Sequence, residues 1–136
     1  MRLQTIEPKD IAPCGVACFA CSAQFNKRKP CAGCRSPVQL ITRKSCVTCL
    51  IKQCAFEKGL SWCFECVNFP CMRIKKLNAR YKKNYDVDLI LTGEMARSDM
   101  NDFLEWEKRL FTCKACGGVS DQHHGVCIEC GGTTRK

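Results

Sequence analysis

Nothing in these 136 residues approaches the roughly 18 consecutive apolar residues of a membrane span, so no membrane association is expected. The opening Met-Arg-Leu-Gln-Thr-Ile-Glu-Pro-Lys-Asp has no apolar stretch of the kind a secretory signal carries, and the expected location is cytoplasmic. Large aliphatic side chains are scarce in the first half. Hydrophobic residues make up 46% of the chain, but 15 of them are cysteine. A core that thin needs staples: disulfides, metal ions or a partner. Also missing are a Ser/His/Asp arrangement, a carboxylate pair at catalytic spacing and a phosphate-binding loop. No catalytic residue is assigned, and a binding module is favoured over an enzyme.

Cysteine is what the chain has in excess. Eleven of the fifteen lie in one stretch, as Cys14-x3-Cys18-x2-Cys21, Cys31-x2-Cys34, Cys46-x2-Cys49, Cys54, Cys63-x2-Cys66 and Cys71. An odd count leaves one thiol outside any complete disulfide framework, and thiols in a reducing compartment stay reduced. The reading is therefore metal. A C-x2-C turn puts two sulfurs on one side of an ion, and a second turn closes the tetrahedron that zinc prefers.

Cys113-Lys-Ala-Cys116-Gly-Gly and Cys127-Ile-Glu-Cys130-Gly-Gly repeat each other and fit a zinc ribbon in every part. For the upstream eleven, the simplest closure pairs near neighbours. Cys18, Cys21, Cys31 and Cys34 would make one site, and Cys49 or Cys54 would join Cys63 and Cys66 in another. Cys14, Cys46 and Cys71 would be a third ligand set or buried thiols. Two or three zinc ions per chain is the expectation. An iron–sulfur cluster is the alternative, because clusters are also held by thiolates and Cys14, Cys18 and Cys21 have a cluster-type spacing. The radical enzymes with that spacing need a large barrel, for which this chain has no room. The alternative is thus an electron carrier or redox sensor.

The formal charge of +9 invites a polyanion partner, with Lys27-Arg28-Lys29, Arg43-Lys44 and the Arg73/Lys76/Arg80/Lys83 face as candidates. The count omits the thiolates. A four-thiolate zinc site carries −2, so three of them lower +9 to about +3. A zinc-ribbon protein that binds RNA or the ribosome is a further alternative, and a protein partner is preferred.

The expected fold is a small, metal-stabilised assembly of α-helix and irregular chain. It divides into a cysteine-rich metal-binding region over 1–71, a helical segment packing on it over 72–111, and a zinc ribbon over 112–136. An edge strand is expected at Leu3–Ile6 and one short helix within Ser45–Gly59. Met72–Lys83 reads as an amphipathic helix with Ile74, Leu77 and Tyr81 on one face. Asp86–Gly93 reads as a helix ended by its glycine. Ser98–Phe111 reads as a helix capped by Ser98, with Phe103, Trp106 and Leu110 as its buried stripe and Leu104 and Phe111 beside it. His123 and His124 read as exposed residues at the tip of the ribbon loop.

Three stretches together carry a resemblance: Ile11-Ala-Pro-Cys14-Gly-x2-Cys18-x2-Cys21, Cys31-Ala-Gly-Cys34-Arg, and Cys54-Ala-x-Glu57-Lys-Gly59-x3-Cys63-x-Glu65-Cys66-x2-Phe69-Pro70-Cys71. They resemble a cysteine-rich prokaryotic family classed as a domain of unknown function (3795) and presumed to bind zinc. Members similarly end in a helical stretch and a zinc ribbon. The resemblance implies a cytoplasmic metal-binding protein of bacteria or archaea, and it brings no activity with it.

Overall fold

Glycines and prolines break the first half into short pieces, and the computed structural model, which describes residues 6–133, shows the consequence. The edge strand expected at Leu3–Ile6 falls outside the described residues but for Ile6. Four single 3-10 turns, Pro8–Asp10, Cys18–Ala20, Ser22–Phe25 and Val38–Leu40, punctuate an otherwise irregular path. Two helices then follow, α1 (Lys44–Val47) and α2 (Leu50–Glu57), where the sequence reading expected one. The Thr48 hydroxyl turns back to donate to the Lys44 carbonyl at 3.3 Å, closing α1. Cys49 is then extended and starts α2 afresh. Gly59, at φ +71, takes the left-handed conformation that ends α2.

A further 3-10 turn, Cys63–Glu65, leads into the helical part: α3 (Met72–Tyr85), α4 (Leu89–Ser98) and α5 (Met100–Leu110). The joint between α3 and α4 is made by polar side chains. Asn78 is buried on α3, and its amide oxygen accepts the Leu89 N–H at 2.6 Å. Its amide nitrogen donates to the Asp88 carboxylate at 3.2 Å. That carboxylate also caps α4 by accepting the N–H groups of Ile90 and Leu91. Asp99, not Ser98, caps α5, accepting the N–H groups of Asn101 and Asp102. Ser98 is already the last residue of α4, so one residue serves as the whole joint.

Gly93 does not end α4, as its position after an apolar run suggested. It lies mid-helix, where a Cβ would stand 2.6 Å from the tip of the Phe69 ring. The glycine lets the loop before α3 press against α4. Gly93→Val is therefore expected to lower stability by about 2 kcal/mol, through overpacking and loss of helix propensity together. Denaturant midpoints measured on both proteins check this, and an unchanged midpoint would mean that Phe69 has room to withdraw.

The buried face of α5 also differs in part from the expected one. Trp106 is 38% exposed and Leu110 43%, while Phe103 and Glu107 are each 1% exposed. Phe103 packs with Ala96 of α4, with Met100 and Leu104 beside it, and Phe111 joins the other cluster.

Two apolar clusters form the core. The first joins Ala17, Ala20, Val87, Leu89, Phe111 and Val119. The second joins Ile11, Trp62, Phe64, Ala96 and Phe103. Phe19 packs against both. Core residues thus come from the cysteine-rich half, the helices and the C-terminal segment alike. The only strand pairing among the described residues is the hairpin β1 (Ser120–Asp121) with β2 (Val126–Cys127), antiparallel with Ser120 opposite Cys127. Among the described residues no helix is long and apolar enough to cross a membrane.

Candidate metal centre

The repeated Cys-x2-Cys-Gly-Gly of the C-terminal segment folds into the same turn twice. In the first copy the Cys113 N–H donates to Gly118 O at 2.8 Å and the Gly117 N–H returns to Cys113 O at 2.8 Å. In the second, Cys127 donates to Gly132 O at 2.9 Å and Gly131 returns to Cys127 O at 3.0 Å. The glycines after the second cysteine of each pair, Gly117 and Gly131, have φ of +79 and +74, which explains why both copies need glycine there. Gly118 is required for space: a Cβ on it would lie 2.5 Å from Glu129 Cγ and 3.2 Å from Cys127 Sγ.

These turns point four sulfurs at one another. The Sγ atoms of Cys113, Cys116, Cys127 and Cys130 all lie within 4.8 Å of each other, with Cys116 and Cys127 at 3.4 Å and Cys113 and Cys130 at 3.8 Å. Backbone N–H groups aim at the sulfurs: Gly118 at Cys116 and Glu129 at Cys127, both at 3.4 Å. Four thiols this close repel one another once ionised, and amide dipoles spread only part of that charge. A divalent cation at their centre resolves the repulsion, and a closed set of four suits a structural site. The donor set and its spacing fit such an ion.

No other set of three or more His, Cys, Asp or Glu ligand atoms closes to that distance among the described residues. Eight of the eleven upstream cysteines line two cavities instead. One, of about 340 Å³, is lined by Cys14, Cys34, Cys46 and Cys49 together with Arg43 and His123. Burial pushes the Cys14 thiol up, with Cys34 and Cys49 adding to it. Cys34 is pushed up to about 12, chiefly by its hydrogen bond with Cys18. The Arg43 guanidinium donates to Cys21 Sγ at 3.6 Å. The other cavity, of about 250 Å³, is lined by Cys54, Cys63, Cys66 and Cys71.

Cys54, Cys63 and Cys66, expected in one site, line the same cavity. Cys34, expected with Cys18, Cys21 and Cys31, hydrogen-bonds both Cys18 and Cys46. Cys31 lines neither cavity.

His123 was read as an exposed turn residue, and the structure overturns this. Its side chain is 7% exposed, whereas His124 is 68% exposed and hydrogen-bonds Asp121 at 2.8 Å. The His123 ring stands edge-on to Tyr85 at 4.9 Å, accepts the Ser22 N–H on Nδ1 at 3.2 Å, and has Arg43 3.3 Å from Nε2. The ribbon loop thus reaches into the cysteine-rich half. Gln122 reinforces the contact, its N–H donating to Ala20 O and its side-chain amide to Ala17 O, both at 2.9 Å. A histidine directly preceding another in a ribbon loop carried no sequence signal for burial.

No curated protein matches this chain, and no solved structure does. A family model described as a protein of unknown function (DUF3795) matches residues 22–76. The match spans Cys31 through Cys71 and the start of α3. It meets, over those residues, the resemblance that the cysteine spacing carries.

Proposed function

We propose that this chain is a cytoplasmic, zinc-held scaffold whose ribbon carries a structural ion on Cys113, Cys116, Cys127 and Cys130, and that the scaffold serves as a binding or adaptor module for a protein partner. The observation that carries the reading is the closure of those four sulfurs within 4.8 Å, on turns whose glycines and amide donors are matched between the two copies. A site with four protein thiolates has no open position for a substrate, which favours a scaffold over a catalyst. Val67, Met72 and Leu50 stand exposed and supply apolar contact area for a partner.

Metal analysis of the intact protein and of Cys113→Ser/Cys116→Ser tests this. The variant is expected to lose about one zinc per chain. Because Val119 and Gln122 are buried against the N-terminal half, its loss should also loosen the core around Ala17 and Ala20, seen as faster amide exchange there. Unchanged metal content would refute the ribbon assignment.

A second reading, an iron–sulfur centre in the upstream region, is favoured by one observation. Cys14, Cys34, Cys46 and Cys49 line a cavity of about 340 Å³ without closing to single-ion spacing. Arg43 and Arg80 on its wall would balance a cluster's charge. Visible absorption of anaerobically purified protein, bleaching on reduction, would establish it. A colourless protein containing only zinc would eliminate it.

A further inference from the structure

The second, smaller cavity repeats the ribbon's local chemistry with residues from three separate elements. Cys54 lies in α2. Gly59 turns the chain, and Leu60 donates to Ala55 O at 2.9 Å, so the next segment doubles back over the helix. Cys63 and Cys66 then sit at the two ends of one 3-10 turn, closed by the Cys66 N–H on Cys63 O at 3.0 Å. Cys71 is the N-cap residue of α3, its carbonyl accepting the Lys75 N–H at 2.9 Å. All four side chains face one cavity of about 250 Å³.

Two further observations separate this set from a chance gathering of thiols. The Asn68 N–H donates to Cys66 Sγ at 3.5 Å, from the residue two places on. That is the relation Gly118 has to Cys116, and Glu129 to Cys127, in the ribbon. The Lys58 ammonium also donates to Cys66 Sγ, at 3.4 Å. A four-thiolate site holding a divalent ion has a net charge of −2, and a lysine beside it offsets part of that. The Cys63 turn is itself anchored, its N–H donating to Pro13 O at 2.9 Å.

We propose that Cys54, Cys63, Cys66 and Cys71 form a second thiolate metal site, separate from the ribbon, which takes a soft, tetrahedral divalent ion of the zinc class. Its sulfurs are more widely spaced than those of the ribbon. The ion would tie α2, the Cys63–Cys66 turn and the start of α3 to one point. The inference rests on reading the chain as metal-held, but not on the four ribbon ligands.

Thiol protection in the zinc-loaded wild-type chain tests it without any substitution. The full-length protein is alkylated with iodoacetamide, with and without a strong zinc chelator, and the modified cysteines are mapped by peptide. Cys54, Cys63, Cys66 and Cys71 are expected to be protected together and released together when chelator is added. Alkylation of these four at the same rate with and without chelator overturns the proposal, as does a disulfide between any two of them. The ribbon cysteines are mapped in the same digest, so failure of one set is distinguishable from failure of the other. Cys71→His provides the second measurement, since zinc and cobalt both accept imidazole. The variant should keep its full metal content while its cobalt form loses about a quarter of one site's thiolate-to-metal absorption. An unaltered cobalt spectrum means that Cys71 is not a ligand.

Discussion

Glu107→Gln is expected to stabilise this protein at pH 9 and to change its stability little at pH 4.5. Glu107 is 1% exposed, and its Oε2 has no hydrogen-bond partner among the described residues. It lies on α5 one turn after Phe103 and one turn before Phe111, between the two apolar clusters. Burial pushes its carboxyl from an ordinary 4.5 up to about 8, because ionisation there has neither water nor a cation to compensate it.

The folded chain therefore binds this proton more tightly than the unfolded chain. The associated stability is fully present below about pH 4.5 and is lost as the pH rises through about 8. A shift of that size is on the order of 5 kcal/mol once the pH is above both values. Glutamine keeps the shape and cannot ionise. The difference in unfolding free energy between variant and wild type should thus grow from pH 4.5 to 8 and level off beyond. Taking the difference removes the pH dependence of the thiols, which both proteins share. Urea unfolding at pH 5, 7 and 9 makes the measurement, and a difference that stays constant would mean that the carboxyl has found water. Glu107→Met should be at least as stabilising at pH 9, since it also removes the unpartnered oxygen.

The ribbon was legible because its determinants are local. Two Cys-x2-Cys-Gly-Gly copies specify their own turns, and no distant residue is needed to draw the four sulfurs together. Helices α3 and α5 were legible in existence because their apolar periodicity runs over several turns, though in α5 Trp106 and Leu110, expected to be buried, are partly exposed and Glu107 is buried. A buried glutamate reads as solvent-facing in any hydrophobic pattern. Among the upstream cysteines, Cys54, Cys63 and Cys66 were legible as neighbours, but the gathering of Cys14, Cys34, Cys46 and Cys49 was not. That gathering depends on how α1 folds back, a tertiary outcome. Gly93 read as a terminator because a helical glycine near an apolar run looks the same whether it ends a helix or admits a neighbour such as Phe69. His123 and Arg97 had no signal for burial or tethering, and Arg35 stood out only as the residue after Cys34 in the resemblance; Arg97 donates through Nε and Nη2 to Phe64 O, at 2.8 and 2.5 Å.

Trp62→Ala is expected to cost about 3 to 5 kcal/mol and to expose the thiols of the turn that follows it. Trp62 stacks on Phe64 at 5.2 Å and meets Phe103 edge-on at 6.3 Å, so it couples the cysteine-rich half to α5. The Arg35 guanidinium lies over its ring at 4.3 Å while donating to Ile11 O and Ser61 O, each at 2.8 Å. Arginine is needed there, because one planar fork must reach two carbonyls while its face covers the indole. Arg35→Ala removes the fork and leaves both carbonyls short of a donor. The two substitutions should therefore not add. A double-mutant cycle is expected to give a coupling of about 1 to 2 kcal/mol from the stacked cation. The backbone N–H groups of Trp62 and Ser61, which the alanine variant keeps, both donate to the Glu65 carboxylate, at 3.0 and 3.1 Å, so the ring's own share in holding the Cys63–Cys66 turn is what the substitution removes. Loss of the indole should then appear twice: as a lower unfolding free energy, and as faster alkylation of Cys63 and Cys66 at a temperature where the chain remains folded. Alkylation unchanged from wild type would show that the Pro13 and Glu65 contacts hold the turn without the ring.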